Sequence, residues 1–150
     1  MASLAPLRRF AALDWRDRLV LGEALLVLSL MSAAAAILPF RRAIRLGARK
    51  AADGSGSDEA AVRRIAWCVA RMAAYVPWRA LCLHQGLAVQ LMLRRRGVDA
   101  ILCYGVGQGL GGALTAHVWV TVETAIVIGG DVVADYRKVA CWPGAVTAGR

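Results

Sequence analysis

The chain has 150 residues, a formal net charge of +9 and a hydrophobic fraction of 59% when alanine, tyrosine and cysteine are counted; that length suits one domain with a sizeable core. Its basic residues fall in short clusters at the edges of apolar segments (Arg8-Arg9, Arg41-Arg42, Arg63-Arg64, Arg94 to Arg96) with no interleaved aromatics. This argues against nucleic-acid binding, whereas an acidic peptide or anionic lipid head groups suit the charge at least as well. The four cysteines contain no Cys-x-x-Cys pair, which argues against a zinc or redox motif; with no secretion signal evident, free thiols in a reducing cytoplasm are expected.

Residues 1–18 predict a lead-in with a short helix, and Asp14 is placed to cap the apolar helix after it. Leu19 to Phe40 is long and apolar enough to span a bilayer and has arginines at both flanks. Glu23, Ser29, Ser32 and the stop at Pro39 oppose spanning. The expectation is a buried or partner-facing helix, with membrane association through residues 19–40 as the alternative. Residues 41–52 continue as a basic helix, and "DGSGSDEA" (Asp53 to Ala60) is the clearest linker.

Ser57-Asp58-Glu59 opens a capped helix expected over 57–75, with Val62, Ile65, Ala66, Val69 and Met72 at helical spacing and Pro77 beyond its end. The next helix lies within "WRALCLHQGLAVQLMLRRRG", where Leu83, Leu87 and Leu91 share one side and Gly97 supplies a left-handed cap. Cys82 lies near its start. β-Branched residues then take over: "DAILCYGVG", "AHVWVTVE" and "AIVIGG" read as strands, and "DYRKVACW" as a last one. Gly107 to Gly112 make a loop but not a phosphate loop, since no helix and no Lys-Ser/Thr come after it. The order gives an α+β fold, with a helical N-terminal region over 1–56 and a core over 57–150 in one compact domain.

Two residues carry the chemistry. A thiol attacks as thiolate, and a helix N-terminus favours that anion while offering N–H groups to a developing oxyanion; Cys82 has that placement. His117 shares a strand face with Trp119 and Thr121, opposite Ala116, Val118, Val120 and Val122, and is a candidate general base. Each also has a plain structural reading, as a small buried hydrophobe and as a hydrogen-bonded strand histidine. A third group should fix the imidazole tautomer. Asp131, brought back by a hairpin turning at "ETA", is preferred over Asp135. Glu123 lies six residues along the histidine strand, about 20 Å away. His84 is a lesser candidate base, Gln85 sits beside it, and Trp78 can flank the cleft.

"PWRALCLHQGLAVQLMLRRRGVDAILCYGV", "AHVWV" and "IVIGGD…YRKVACW" together resemble the transglutaminase-like B2 proteins of lasso-peptide biosynthesis, over roughly residues 76–143. The resemblance implies a papain/transglutaminase-like cysteine protease fold, with Cys82 as nucleophile, His117 as general base and Asp131 as the best match for the acid. It implies a leader peptidase that acts on a ribosomally made precursor, alongside a separate leader-recognition (B1) protein and a lasso cyclase. No metal or cofactor is implied; relatives are linked to ATP-dependent processing, but no nucleotide motif is present. The rival readings are a catalytically silent peptide-binding scaffold and a membrane-associated assembly factor.

Overall fold

The computed structural model describes residues 13–48 and 58–143. Helix α1, Trp15–Ile37, starts after Asp14, whose side chain makes no cap bond. It stops because Pro39 cannot continue it and forces Leu38 into extended backbone at ψ 146. Its apolar residues divide into two faces. Leu21, Ala24, Val27, Leu28 and Met31 form a buried stripe at helical spacing, while Leu26 is 61% and Ile37 79% exposed on the outside. By length and composition α1 could cross a membrane, but its packing on later helices ties it to the rest of the molecule.

Helix α2, Phe40–Gly47, buries Ala43, Ile44 and Gly47. Gly47 is needed for close approach, since a Cβ there would stand 2.6 Å from Gln90 Oε1. Helix α3 spans Glu59–Ala73, and its cap is Asp58, whose carboxylate accepts the Ala60 N–H at 3.0 Å. The predicted start at Ser57 and most of the linker, residues 53–57, lie outside the described residues, as do residues 1–12 of the lead-in. Helix α4, Cys82–Arg94, is followed by the expected left-handed Gly97 at φ +78.

Strands β1 (Ala100–Gln108), β2 (Leu114–Val122), β3 (Ala125–Ile128) and β4 (Arg137–Trp142) form one antiparallel sheet in the order β3-β2-β1-β4. The β2–β3 hairpin turns at Glu123-Thr124, with Glu123 itself taking the positive φ of 54. The helices cover one face of this sheet, giving the α+β fold expected.

One core joins all the helices to that face: Leu28, Ile44, Val69, Leu87, Leu93, Leu102 and Val120 are completely buried or nearly so. Each such side chain contributes about 1.5–3 kcal/mol by leaving water. Arg94 departs from the expectation of a solvated helix end. It is 5% exposed and donates to Asp99 Oδ1 at 2.8 Å and to the Ala100 carbonyl at 3.2 Å, fixing the turn between α4 and β1. The expectation of free thiols needs correction as well. Cys103 and Cys141 face each other on paired strands, Cα atoms 4.1 Å apart, and form a disulfide. Cys68 and Cys82 are free.

Candidate active site

Cys82 is the first residue of α4 and is half-buried against the core. The chain entering the helix is held from within its first turn. Gln85 Nε2 donates to the Ala80 carbonyl at 2.8 Å, and the Leu81 N–H donates to His84 Nδ1 at 3.1 Å. The second bond puts the proton of a neutral His84 on Nε2 and occupies the nitrogen that a base would use. His84 therefore serves the helix start and is poorly suited to activate Cys82.

His117 is half-buried on β2. Its Nε2 lies 2.7 Å from the Gly129 carbonyl oxygen. A carbonyl only accepts, so Nε2 carries the proton and Nδ1 is the ring's acceptor. Trp119 stacks beside the imidazole at 6.3 Å between centroids, and Tyr136 lies at 5.1 Å. Gly105, the β1 partner of His117, makes room for this layer: a Cβ there would stand 2.9 Å from the Trp119 ring.

Helix α4 runs opposite to β1. Gln90, toward its C-terminal end, donates to the carbonyls of Ala100 and Trp142, while Gly86 lies over Leu102, Val118 and Val120. Cys82, one turn before Gly86, is thus at the end of the sheet that carries His117. Val118 and Val120 face α4, so the two-residue strand period turns His117 and Trp119 to the other face. No hydrogen bond joins Cys82 to His117. Strand β3 pairs with β2 only as far as Val120, leaving the Thr115–Val118 edge without a strand neighbour on that side among the described residues.

Asp131 and Asp135 are both exposed, and neither bonds the imidazole. The reason is local. Gly129, at φ +79, lies so close to β2 that a Cβ would stand 2.7 Å from the Val118 oxygen. The backbone carbonyl of Gly129 reaches the ring before the chain arrives at Asp131. Neither this carbonyl nor Tyr136 was singled out from sequence. The Gly129-Gly130 pair was the available signal for the first, and "DYRKV" gave none for the second.

The other free thiol, Cys68, is fully buried, and desolvation, with a smaller contribution from Asp17, pushes its pKa up to about 11. Among the described residues no three His, Cys, Asp or Glu side chains cluster to hold a metal ion.

A family model described as the transglutaminase-like superfamily matches residues 24–141. The chain belongs to the transglutaminase-like superfamily. No curated protein and no solved structure matches it. The superfamily match begins inside α1 and ends in β4, so it takes in the helices as well as the sheet, and Cys82 and His117 both lie within it. Transglutaminase-like domains include cysteine peptidases and transferases, chemistries that begin alike, with a thiolate attacking a carbonyl.

Proposed function

We propose that this transglutaminase-like protein is a cysteine peptidase that removes the leader from a ribosomally made precursor during lasso-peptide maturation. The observation that carries the reading is the position of a free, half-buried Cys82 as the first residue of α4 in a chain of this superfamily. In the proposed reaction His117 Nδ1 takes the Cys82 proton as sulfur attacks the carbonyl at the leader–core junction. Backbone N–H groups of the first turn of α4, which lack intrahelical acceptors, hold the oxyanion. The proton passes to the leaving amine of the core peptide as the C–N bond breaks. Water, deprotonated by His117, then hydrolyses the leader thioester and regenerates the thiol.

The Gly129 carbonyl keeps the ring in the tautomer this needs; Asp131 remains the alternative orienting group and Asp135 the next. Thiol and imidazole meet, in the proposed reaction, around the open edge of β2. The partners are the precursor leader, a separate leader-recognition protein and a cyclase, and the reaction itself calls for no cofactor. The cytoplasm, where ribosomal precursors are made, is its proposed place; the Cys103–Cys141 disulfide, of a kind rare in reducing compartments, is the observation that opposes it.

One observation favours a second reading, a peptide-binding scaffold without turnover: Cys82 and His117 are not hydrogen-bonded. Leader release from precursor, with recognition protein present, separates the two. The peptidase reading expects release by the unaltered protein and its loss in Cys82→Ala at unchanged Tm. Undiminished release by the variant removes the nucleophile, and no release by either supports the scaffold. The product mass also tells hydrolysis from transfer to an amine.

A further inference from the structure

A cleft of about 560 Å³ lies between α1 and the segment leading into α4. Its floor comes from small side chains of α1, among them Ser32, Ala33 and Ala36, and its wall from Trp78, Arg79 and His84, which bracket Cys82 in sequence. The wall is anchored to the floor, because Trp78 Nε1 donates to Ser32 Oγ at 3.1 Å.

Most of the polar lining donates, and the exception is Ser29, whose O–H bonds to the Leu25 carbonyl so that its oxygen is left as an acceptor. Ser32 spends its oxygen on Trp78 and keeps its own O–H to donate. His84, whose Nδ1 accepts from Leu81, keeps Nε2–H. Arg79 is exposed and makes no ion pair with any described residue. No carboxylate lines the cleft. A short apolar stem fits the alanine floor, and a negative head group fits the three donors.

We propose that this cleft binds an acidic side chain of the peptide that Cys82 attacks. The inference rests on the peptidase reading for what the peptide is, but the site itself stands on the lining. Arg79 is the specificity residue, since a guanidinium pairs with a carboxylate through two parallel bonds and gains far less from an amide. Trp78 forms the apolar wall for the stem, and Ala36 sets the room available.

The test uses full-length Cys82→Ala protein with 15N-labelled tryptophan indoles, the Trp78 signal being assigned with Trp78→Phe. The probes are acetyl-Ala-Ala-Glu-Ala-Ala-amide and its Gln counterpart. The Glu peptide is expected to move the Trp78 indole N–H signal, with the Gln peptide binding about three- to fivefold more weakly, as suits one exposed charge-assisted pair. Arg79→Gln should remove that preference at unchanged Tm, and Ala36→Leu should weaken both peptides by filling the cleft. A Trp78 signal that neither peptide moves overturns the site. Equal binding of the two peptides, or a preference that survives Arg79→Gln, overturns the acidic specificity. Because binding is read without turnover, an inert Cys82 leaves the cleft standing, while leader cleavage without a Trp78 response overturns the cleft and spares the peptidase.

Discussion

His117 Nε2 donates to the carbonyl oxygen of Gly129 across 2.7 Å, so a backbone group, and not a carboxylate, holds the imidazole. The bond fixes the tautomer as a carboxylate would, but without a negative charge beside the ring. Asp131→Asn is therefore expected to keep leader-cleavage turnover within about threefold, well short of the factors lost when a working triad member is removed. Asp135→Asn should behave alike. Gly129→Ala should lower turnover at least tenfold, because a Cβ would meet the Val118 oxygen at 2.7 Å and the backbone is at φ +79; displacing the carbonyl frees the ring, and strain of about 1–3 kcal/mol should appear in the Tm. Steady-state rates on the three purified variants check this, and a large loss confined to Asp131→Asn would restore the aspartate as third member.

The seating of α4 on β2 depends on Gly86. A Cβ at this position would stand 2.9 Å from Val118 Cγ1 and 3.3 Å from Leu102 Cδ1, both fully buried neighbours or nearly so. Gly86→Ala must push the helix off the strand or force side chains from their rotamers. The expected cost is about 1–3 kcal/mol, partly offset by the better helix propensity of alanine. Urea denaturation of the variant measures it, and unchanged stability would mean that the helix and the sheet are not in close contact at this point.

The cysteines should separate by chemistry. Cys82 is half-buried and free; Cys68 is fully buried with its thiol pushed up to about 11; Cys103 and Cys141 are joined. Iodoacetamide at pH 8 without reductant should label Cys82 first and leave Cys68 untouched until the protein unfolds. The joined pair should label only after reduction and unfolding. Peptide mapping by mass spectrometry reads all four sites at once. Labelling of Cys103 in unreduced native protein would contradict the disulfide.

Glu23 ties α1 to the end of α4 through Arg96, with Arg95 at 3.7 Å. The hydrogen bond from Arg96, more than its charge, holds the Glu23 carboxyl below its ordinary range. A carboxylate with a lowered folded pKa stabilises the protein fully above its unfolded pKa, about 4.3, and loses that contribution as the pH falls through the folded value. Glu23→Gln should therefore cost about 1 kcal/mol at neutral pH, since the pair is partly solvated, and nothing in strong acid. Denaturation curves of both proteins at pH 7 and pH 2.5 decide it; an equal cost at both would mean that packing, and not charge, is lost.

How far the sequence reaches can be judged from single residues. The alternation of Val118 and Val120 with His117 and Trp119 is written in the letters, and so are the stop at Pro39 and the cap at Gly97. Val62, Ile65, Ala66 and Val69 repeat at helical spacing and are all buried. What remained illegible depends on partners distant in sequence or on backbone atoms. Arg94 reads like its solvated neighbours until Asp99 and the Ala100 carbonyl fold back on it. Cys103 and Cys141 are 38 residues apart, and only the register of β1 against β4 brings them together. The Gly129 carbonyl has no side chain to announce it. From Leu19 onward α1 is apolar but for Gly22, Glu23, Ser29 and Ser32, so only the packing of α3 and α4 separates its buried stripe from its exposed one.

The rate of leader release in a double-mutant cycle of Cys82→Ala, His117→Ala and the pair tests the central claim most directly. If sulfur and imidazole work as one unit, each single change should lower release by about a thousandfold or more, and the double variant should be no slower than the singles. Losses that multiply in the double variant, or release that survives either single change, would contradict a Cys82–His117 peptidase.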